Sequence, residues 1–150
     1  MCDLYFAAVR LGHFRIDPKI ADAMAFSEAN FHSIIVNQAM LDKRRAQSMI
    51  FEYGNERIGY AIVAELATGK GGTELHIFIV DPNARGKGYG QLMLTEIIHR
   101  WHVITDLFVV CFPASSTMKH LLMKNGFLEI EVDKEGNCLF LLPKAHERSA

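Results

Sequence analysis

At 150 residues the chain has the length of one domain spanning 1–150, long enough to bury roughly two-thirds of its unfolded surface around a single core. Half of its residues are hydrophobic and 22% are charged, an ordinary globular balance without low-complexity tracts or repeats. A formal net charge of −1 argues against nucleic acid or an anionic membrane as the main partner, and leaves small molecules and proteins open, a homodimer included. Cys2, Cys111 and Cys138 form no C-x-x-C pair, and their odd number suits a reducing compartment. With no basic-then-apolar leader and no apolar run of about 18 residues, a cytoplasmic protein is expected.

In chain order, Leu4 to Val9 is short and apolar and reads as a first strand ending at Arg10. Asp17-Pro18 reads as a helix start, because Asp caps free N–H groups and Pro at the first helical position gives up no bond. Ile20, Met24, Phe31 and Ile35 then lie near one helix face. A shorter helix is expected from Gln38 to Ala46, where Lys43, Arg44 and Arg45 form a basic run read as a solvated face. Ser48 to Tyr53 and Arg57 to Glu65, joined by Gly54-Asn55-Glu56, form a hairpin. Ala67 to Thr73, with Gly69, Gly71 and Gly72, connects flexibly to a fourth strand, Glu74 to Val80.

The stretch from Val80 to Gly90 carries the strongest chemical signal. It joins that strand to a helix from Gln91 to Trp101, whose buried stripe is Leu94, Ile97, Ile98 and Trp101. Gly86, Gly88 and Gly90 let the backbone fold close against a ligand. The helix behind them offers unpaired N–H groups and a partial positive charge, so the natural ligand is a phosphate. The dinucleotide fingerprint would need a glycine where the chain has Gln91, and the Walker A loop needs a G-K-[ST] that is absent. What fits is R-x-x-G-x-G, met by Arg85, Gly88 and Gly90 after Val80 and Pro82.

Beyond the loop, Leu107 to Phe112 is a continuous apolar run, expected of a central strand covered on both faces and stopped by Pro113. A helix capped by Ser115 or Ser116 runs to Lys124 with Met118, Leu121 and Leu122 inward, and Asn125-Gly126 ends it. Phe127 to Val132 and Cys138 to Leu142 form a closing hairpin.

The Arg85-to-Gly90 pattern resembles motif A of the GNAT superfamily of N-acetyltransferases, and the final helix with Gly126-Phe127 resembles its motif B. The likeness covers nearly the whole chain. It implies the α/β (α+β) GNAT fold, a mixed, mostly antiparallel sheet of about seven strands flanked by about four helices. It also implies direct transfer of an acetyl group from acetyl-CoA to a primary amine of a small molecule or protein. The alternative is a GNAT-fold acyl-CoA-binding module that senses or interacts with little or no catalysis.

On this resemblance, Arg85, Gly86, Lys87, Gly88, Tyr89, Gly90 and Gln91 cradle the cofactor's pyrophosphate, while backbone N–H groups of Phe78, Ile79 and Val80 polarise the thioester. Ser115 falls where many relatives have an asparagine that touches the pantetheine arm. No metal is implied, since His99 and His102 have no acidic or cysteine partner at a useful spacing.

A lysine-like amine with pKa near ~10.4 is neutral only about once in a thousand at neutral pH, so a base is expected. Strand alternation puts Glu74, His76, Phe78 and Val80 on one face and Leu75, Ile77 and Ile79 on the other. Glu74 stands six residues before Val80, where histone-acetylating relatives carry their glutamate base, and is the first choice. His76 is the second, acting directly or through water. The plain alternatives are a solvent-facing glutamate and a hydrogen-bonded core histidine. Leu122 stands where many relatives have a tyrosine acid, which leaves water, Cys111 or no donor for the departing thiolate.

Overall fold

The computed structural model of the chain describes residues 1–14 and 22–146. In order, they form helices α1 (Cys2–Arg10) and α2 (Ala23–Asn37), strands β1 (Ala46–Tyr53), β2 (Glu56–Glu65) and β3 (Thr73–Val80), and helix α3 (Tyr89–Trp101). Strand β4 (Leu107–Cys111), helix α4 (Ser116–Lys124) and strands β5 (Leu128–Val132) and β6 (Cys138–Leu142) complete the set. Among the described residues the strands make one six-stranded sheet in the order β1-β2-β3-β4-β6-β5, antiparallel at every pairing except β3 with β4. The architecture is the mixed, mostly antiparallel α+β one expected, with one strand fewer.

The strand expected at Leu4 to Val9 is the body of α1. A short apolar run does not by itself distinguish strand from helix. Here Phe6 and Ala8 are buried, Met1, Cys2, Leu4 and Tyr5 pack beside the core, and Tyr60 donates its hydroxyl to the Met1 carbonyl at 2.9 Å. Asp3 in the first turn and Arg10 in the last also suit the helix dipole.

The expected helix start at Asp17-Pro18 lies outside the described residues, as does Ile20. Within them Asp22 caps α2, its carboxylate accepting from the Ala25 N–H at 2.9 Å. Phe31 and Ile34 are the buried pair, whereas Met24 and Ile35 are exposed, so the inward stripe of α2 is narrower and shifted by one residue.

Gln38 to Ala46 is not a helix either. Gln38 ends α2 at φ 53°, Ala39 bridges to Arg45, and Met40 N–H donates to the Arg44 carbonyl at 2.9 Å. Asp42 explains the turn, because its side chain takes the Arg44 N–H at 3.1 Å and so competes with helical bonding. Of the basic run only Arg44 turns inward, pairing with Asp42 at 2.8 Å and with Glu74 at 3.3 Å, while Lys43 and Arg45 are exposed, Arg45 pairing with Glu65 at 2.6 Å.

Helices cover the sheet from both sides. Leu94, Ile97 and Leu122 of α3 and α4 pack with Ala61, Val63, Leu75, Leu107, Val109 and Phe140. On the other side Ala8, Phe31 and Ile34 of α1 and α2 pack with Tyr60, Ile62, Ala64, Ile77 and Ile79. Because α1 and α2 reach only the β1–β3 half, β4 is covered on one face: Leu107, Val109 and Cys111 are buried while Val110 is 44% exposed.

Strand β3 also departs from strict alternation. It pairs with β2 from Gly59↔Val80 to Ile62↔Ile77, and then the register shifts so that Val63 faces Leu75. His76 is the extra, bulged residue. Leu75 therefore joins Phe78 and Val80 on the α3 side, while Ile77 and Ile79 face α1 and α2. The grouping of Leu75 with Ile77 and Ile79 does not hold, whereas His76, Phe78 and Val80 line one cleft, from which Glu74 is absent.

Gly59 sets how closely β2, β3 and α3 approach. A Cβ there would press on the Ile79 carbonyl oxygen and lie 2.8 Å from Met93 Cε. Gly59→Ala is expected to destabilise the protein by about 1–3 kcal/mol, read as a lower urea midpoint. An unchanged midpoint would contradict this packing.

Candidate active site

After Val80 the chain makes a short 3-10 turn, Pro82–Ala84, capped by Asp81, whose carboxylate accepts from Asn83 N–H at 3.1 Å. Arg85 folds back, its Nε donating to the Val80 carbonyl at 3.2 Å. Gly86 and Gly88 then adopt φ of 74° and 81°, a left-handed backbone that favours glycine, and a Cβ at either would meet nothing within 4 Å. Their surroundings are open rather than filled by the protein. Gly88 is the N-cap of α3 and brings no side-chain bond to the first N–H groups of the helix.

Gly90 differs, since a Cβ there would lie 3.4 Å from Val80 Cγ2 and 3.7 Å from Leu121 Cδ2, and its smallness lets α3 sit against β3 and α4. Gln91 clamps the same junction. Its Nε2 donates to Asn125 Oδ1 at 2.7 Å and its Oε1 accepts from Asn125 Nδ2 at 3.1 Å.

Strands β3 and β4 pair only at Thr73↔Leu107 and Glu74↔Phe108, and then diverge. The gap opens a cleft of about 600 Å³ running to the glycine loop. His76, Phe78, Ile79, Val80, Arg85, Gly86, Gly88, Tyr89, Gly90, Gln91 and Ser115 line it, whereas Glu74 and Lys87 do not. The cleft also takes in His13 and Phe14 beyond α1, Val110 and Cys111 of β4, and His120 and Lys124 of α4. Sequence reasoning singled out Cys111 among these and missed the rest. His13 Nδ1 lies 3.0 Å from Ser115 Oγ, a contact across 102 positions that no local pattern signals.

Glu74 sits behind the cleft with both oxygens engaged, Oε1 with His76 Nδ1 at 3.1 Å and Oε2 with Arg44 Nη1 at 3.3 Å. Burial alone would push its carboxyl up, but the hydrogen bond and charge of His76 and the charge of Arg44 outweigh it and hold the carboxyl below its usual range. Burial pushes the Cys111 thiol up to about 12, so it stays protonated.

The sequence model of the acetyltransferase (GNAT) family matches residues 16–127. The chain belongs to that family. Its fold is similar to that of spermidine N-acetyltransferase from Vibrio cholerae in complex with CoA and spermine, with TM-score 0.67 and 14% identity over 93% of this chain and 84% of that one. It is also similar to ribosomal-protein-alanine N-acetyltransferase from Brucella melitensis, with TM-score 0.65 and 18% identity over 95% and 91% of the two chains. An acetyltransferase from Thermus thermophilus gives TM-score 0.66 and 14% identity over 95% and 90%. At these identities the likeness shows the fold alone. A comparison with curated protein sequences finds no match. Among the described residues of this GNAT protein no group of three or more His, Cys, Asp and Glu could hold a metal, and no helix is long and apolar enough to cross a membrane.

Because folding lowers the Glu74 carboxyl, the stability it contributes is complete above the unfolded glutamate value near ~4.3 and is lost as pH falls through the lower folded value. Glu74→Gln is therefore expected to melt below wild type at pH 7, with the gap closing as pH drops below about 4. A gap of constant size down to acid pH would contradict the Glu74 pairing.

Proposed function

We propose that this single-domain protein is an acetyl-CoA-dependent N-acetyltransferase of a reducing, cytoplasmic compartment, transferring acetyl directly to a primary amine of a small molecule or protein. The observation that carries this reading is the divergence of β3 from β4 directly beside an open glycine loop. A phosphate-bearing chain fits the loop, whose uncapped helix start and open Gly86 and Gly88 suit a doubly charged anion. Acetyl-CoA supplies the acetyl group as a thioester. Gly86, Gly88, Tyr89 and Gly90 hold its pyrophosphate through the backbone, Arg85 and Lys87 add positive charge nearby, and Gln91 keeps α3 in position. Backbone N–H groups of Phe78, Ile79 and Val80 stabilise the charge that develops on the carbonyl oxygen. Ser115 contacts the pantetheine arm.

Of the two base candidates we assign proton removal to His76 and positioning to Glu74. His76 lines the cleft, whereas Glu74 stands outside it with its oxygens committed and its basicity lowered. A carboxylate on Nδ1 leaves Nε2 free to take the amine proton, directly or through water. This is the arrangement by which a carboxylate orients a catalytic imidazole, with roles shared rather than alternative.

The described lining holds Arg85, Lys124 and three histidines but no Asp or Glu. Polycations such as the spermine bound by the Vibrio cholerae relative have no carboxylate there to meet. The favoured acceptor carries one amine on an otherwise neutral or anionic body.

The function is tested by thiol release from acetyl-CoA over a panel of single amines, lysine peptides, N-terminal peptides and spermidine. Turnover with single amines is expected. Acetyl-CoA binding without turnover on any acceptor would contradict the enzyme and favour the binding module. His76→Ala should keep acetyl-CoA affinity and lose ~10²–10⁴-fold in kcat with lysine-like acceptors, and much less with acceptors of low pKa. An undiminished kcat on lysine-like acceptors would remove His76 from this role.

A further inference from the structure

Acyl transfer to an amine leaves a thiolate to be protonated, and the side chain that many relatives use is absent. Leu122 occupies that position and is fully buried in the core beside Leu94 and Ile97. Cys111 lines the cleft, but a thiol pushed up to about 12 gives its proton to a weaker base only uphill. A different pair stands in the cleft. Ser115 is the N-cap of α4, where a serine hydroxyl ordinarily accepts from the helix N–H groups, yet it makes no such bond. Its Oγ instead meets His13 Nδ1 at 3.0 Å.

His13 is held for this contact. Its N–H donates to the Ala8 carbonyl at 3.0 Å, and that of Gly12 donates to Val9 at 2.9 Å, which ties the segment to the last turn of α1. A Cβ on Gly12 would lie 3.5 Å from Ala114 Cβ, so the same segment packs directly beside Ser115. Ser115 is 9% exposed, a buried hydroxyl with one side-chain partner, while His13 is half-buried and within reach of solvent protons.

We propose that Ser115 and His13 form a proton relay that delivers the proton to the departing sulfur. The relay rests on the acetyltransferase reading above. As the amine lone pair forms the C–N bond and the C–S pair leaves on sulfur, the Oγ proton of Ser115 goes to sulfur and the Nδ1 proton of His13 goes to Oγ. Ser115 is regenerated within the step, His13 regains its proton from solvent, and the amine proton leaves through His76. A serine hydroxyl alone is too weak an acid for this, and the imidazolium behind it supplies the proton that is lost.

Two measurements test the relay. Calorimetric titration with CoA and with desulfo-CoA reads the contact without turnover: wild type should prefer CoA by about 5-fold, the worth of one hydrogen bond, and Ser115→Ala should bind both alike. Thiol release at saturating acetyl-CoA should fall ~10–100-fold in Ser115→Ala, in His13→Ala and in His13→Gln, with the Ser115→Ala/His13→Ala double variant no worse than either single one. Ser115→Thr should recover much of the rate. His13→Gln keeps a hydrogen bond to Ser115 without a proton to give, so full activity there would overturn the relay. Ser115→Ala that weakens CoA and desulfo-CoA equally at unchanged kcat would overturn it too, leaving Ser115 as a grip on the pantetheine arm. A wild type that releases no thiol with any amine would overturn the acetyltransferase reading itself and the relay with it.

Discussion

The separation of β3 from β4 after two residue pairs is the constraint on which the site depends. On its other side β3 is fixed to β2 from Gly59↔Val80 to Glu65↔Thr73, and β4 is fixed to β6 along its whole length. The two halves of the sheet are thus each complete, and the seam between them is open. Among the described residues, backbone groups along the β4-facing edge of β3 beyond Glu74 have no strand to pair with. Unpaired peptide groups are costly away from water, so such an edge is suited to an extended ligand that carries its own carbonyls and amides. The glycine loop and the start of α3 lie at the end of the same seam, so the cleft runs from the open edge of β3 to an uncapped helix N-terminus.

The bulge at His76 makes the second contribution. One extra residue in β3 separates the packing of Leu75 from that of Ile77 and lets His76 line the cleft while its Nδ1 reaches Glu74. Arg44, on the turn between α2 and β1, completes the charge set from outside the sheet. The histidine is therefore oriented by a carboxylate that is itself held in place. Removing Arg44 would loosen that arrangement without touching the cleft.

Much of this was legible in the residues. The glycine loop and the helix after it could be read because a left-handed backbone, as at Gly86 and Gly88, favours glycine, and Gly54-Asn55 announced the β1–β2 turn. The first strand was misread because Leu4 to Val9 is too short for periodicity to separate strand from helix. Gln38 to Ala46 was misread because one side-chain bond from Asp42 to Arg44 outweighs helix propensity. The bulge was hidden because it depends on the partner strand, not on β3 itself. The bonds of Glu74 to Arg44 and of Ser115 to His13 join residues 30 and 102 positions apart, and only the fold brings them together.

A site built of backbone along the β3 edge and the glycine loop reports on itself directly through amide chemical shifts. Titrating the ¹⁵N-labelled protein with CoA should move the amide signals of Phe78, Ile79, Val80, Gly86, Gly88 and Tyr89 most, with the distant β5 amides Glu129 to Glu131 unmoved. Binding that leaves the Phe78–Val80 and Gly86–Gly88 amides unshifted, or no binding at millimolar CoA, would contradict it.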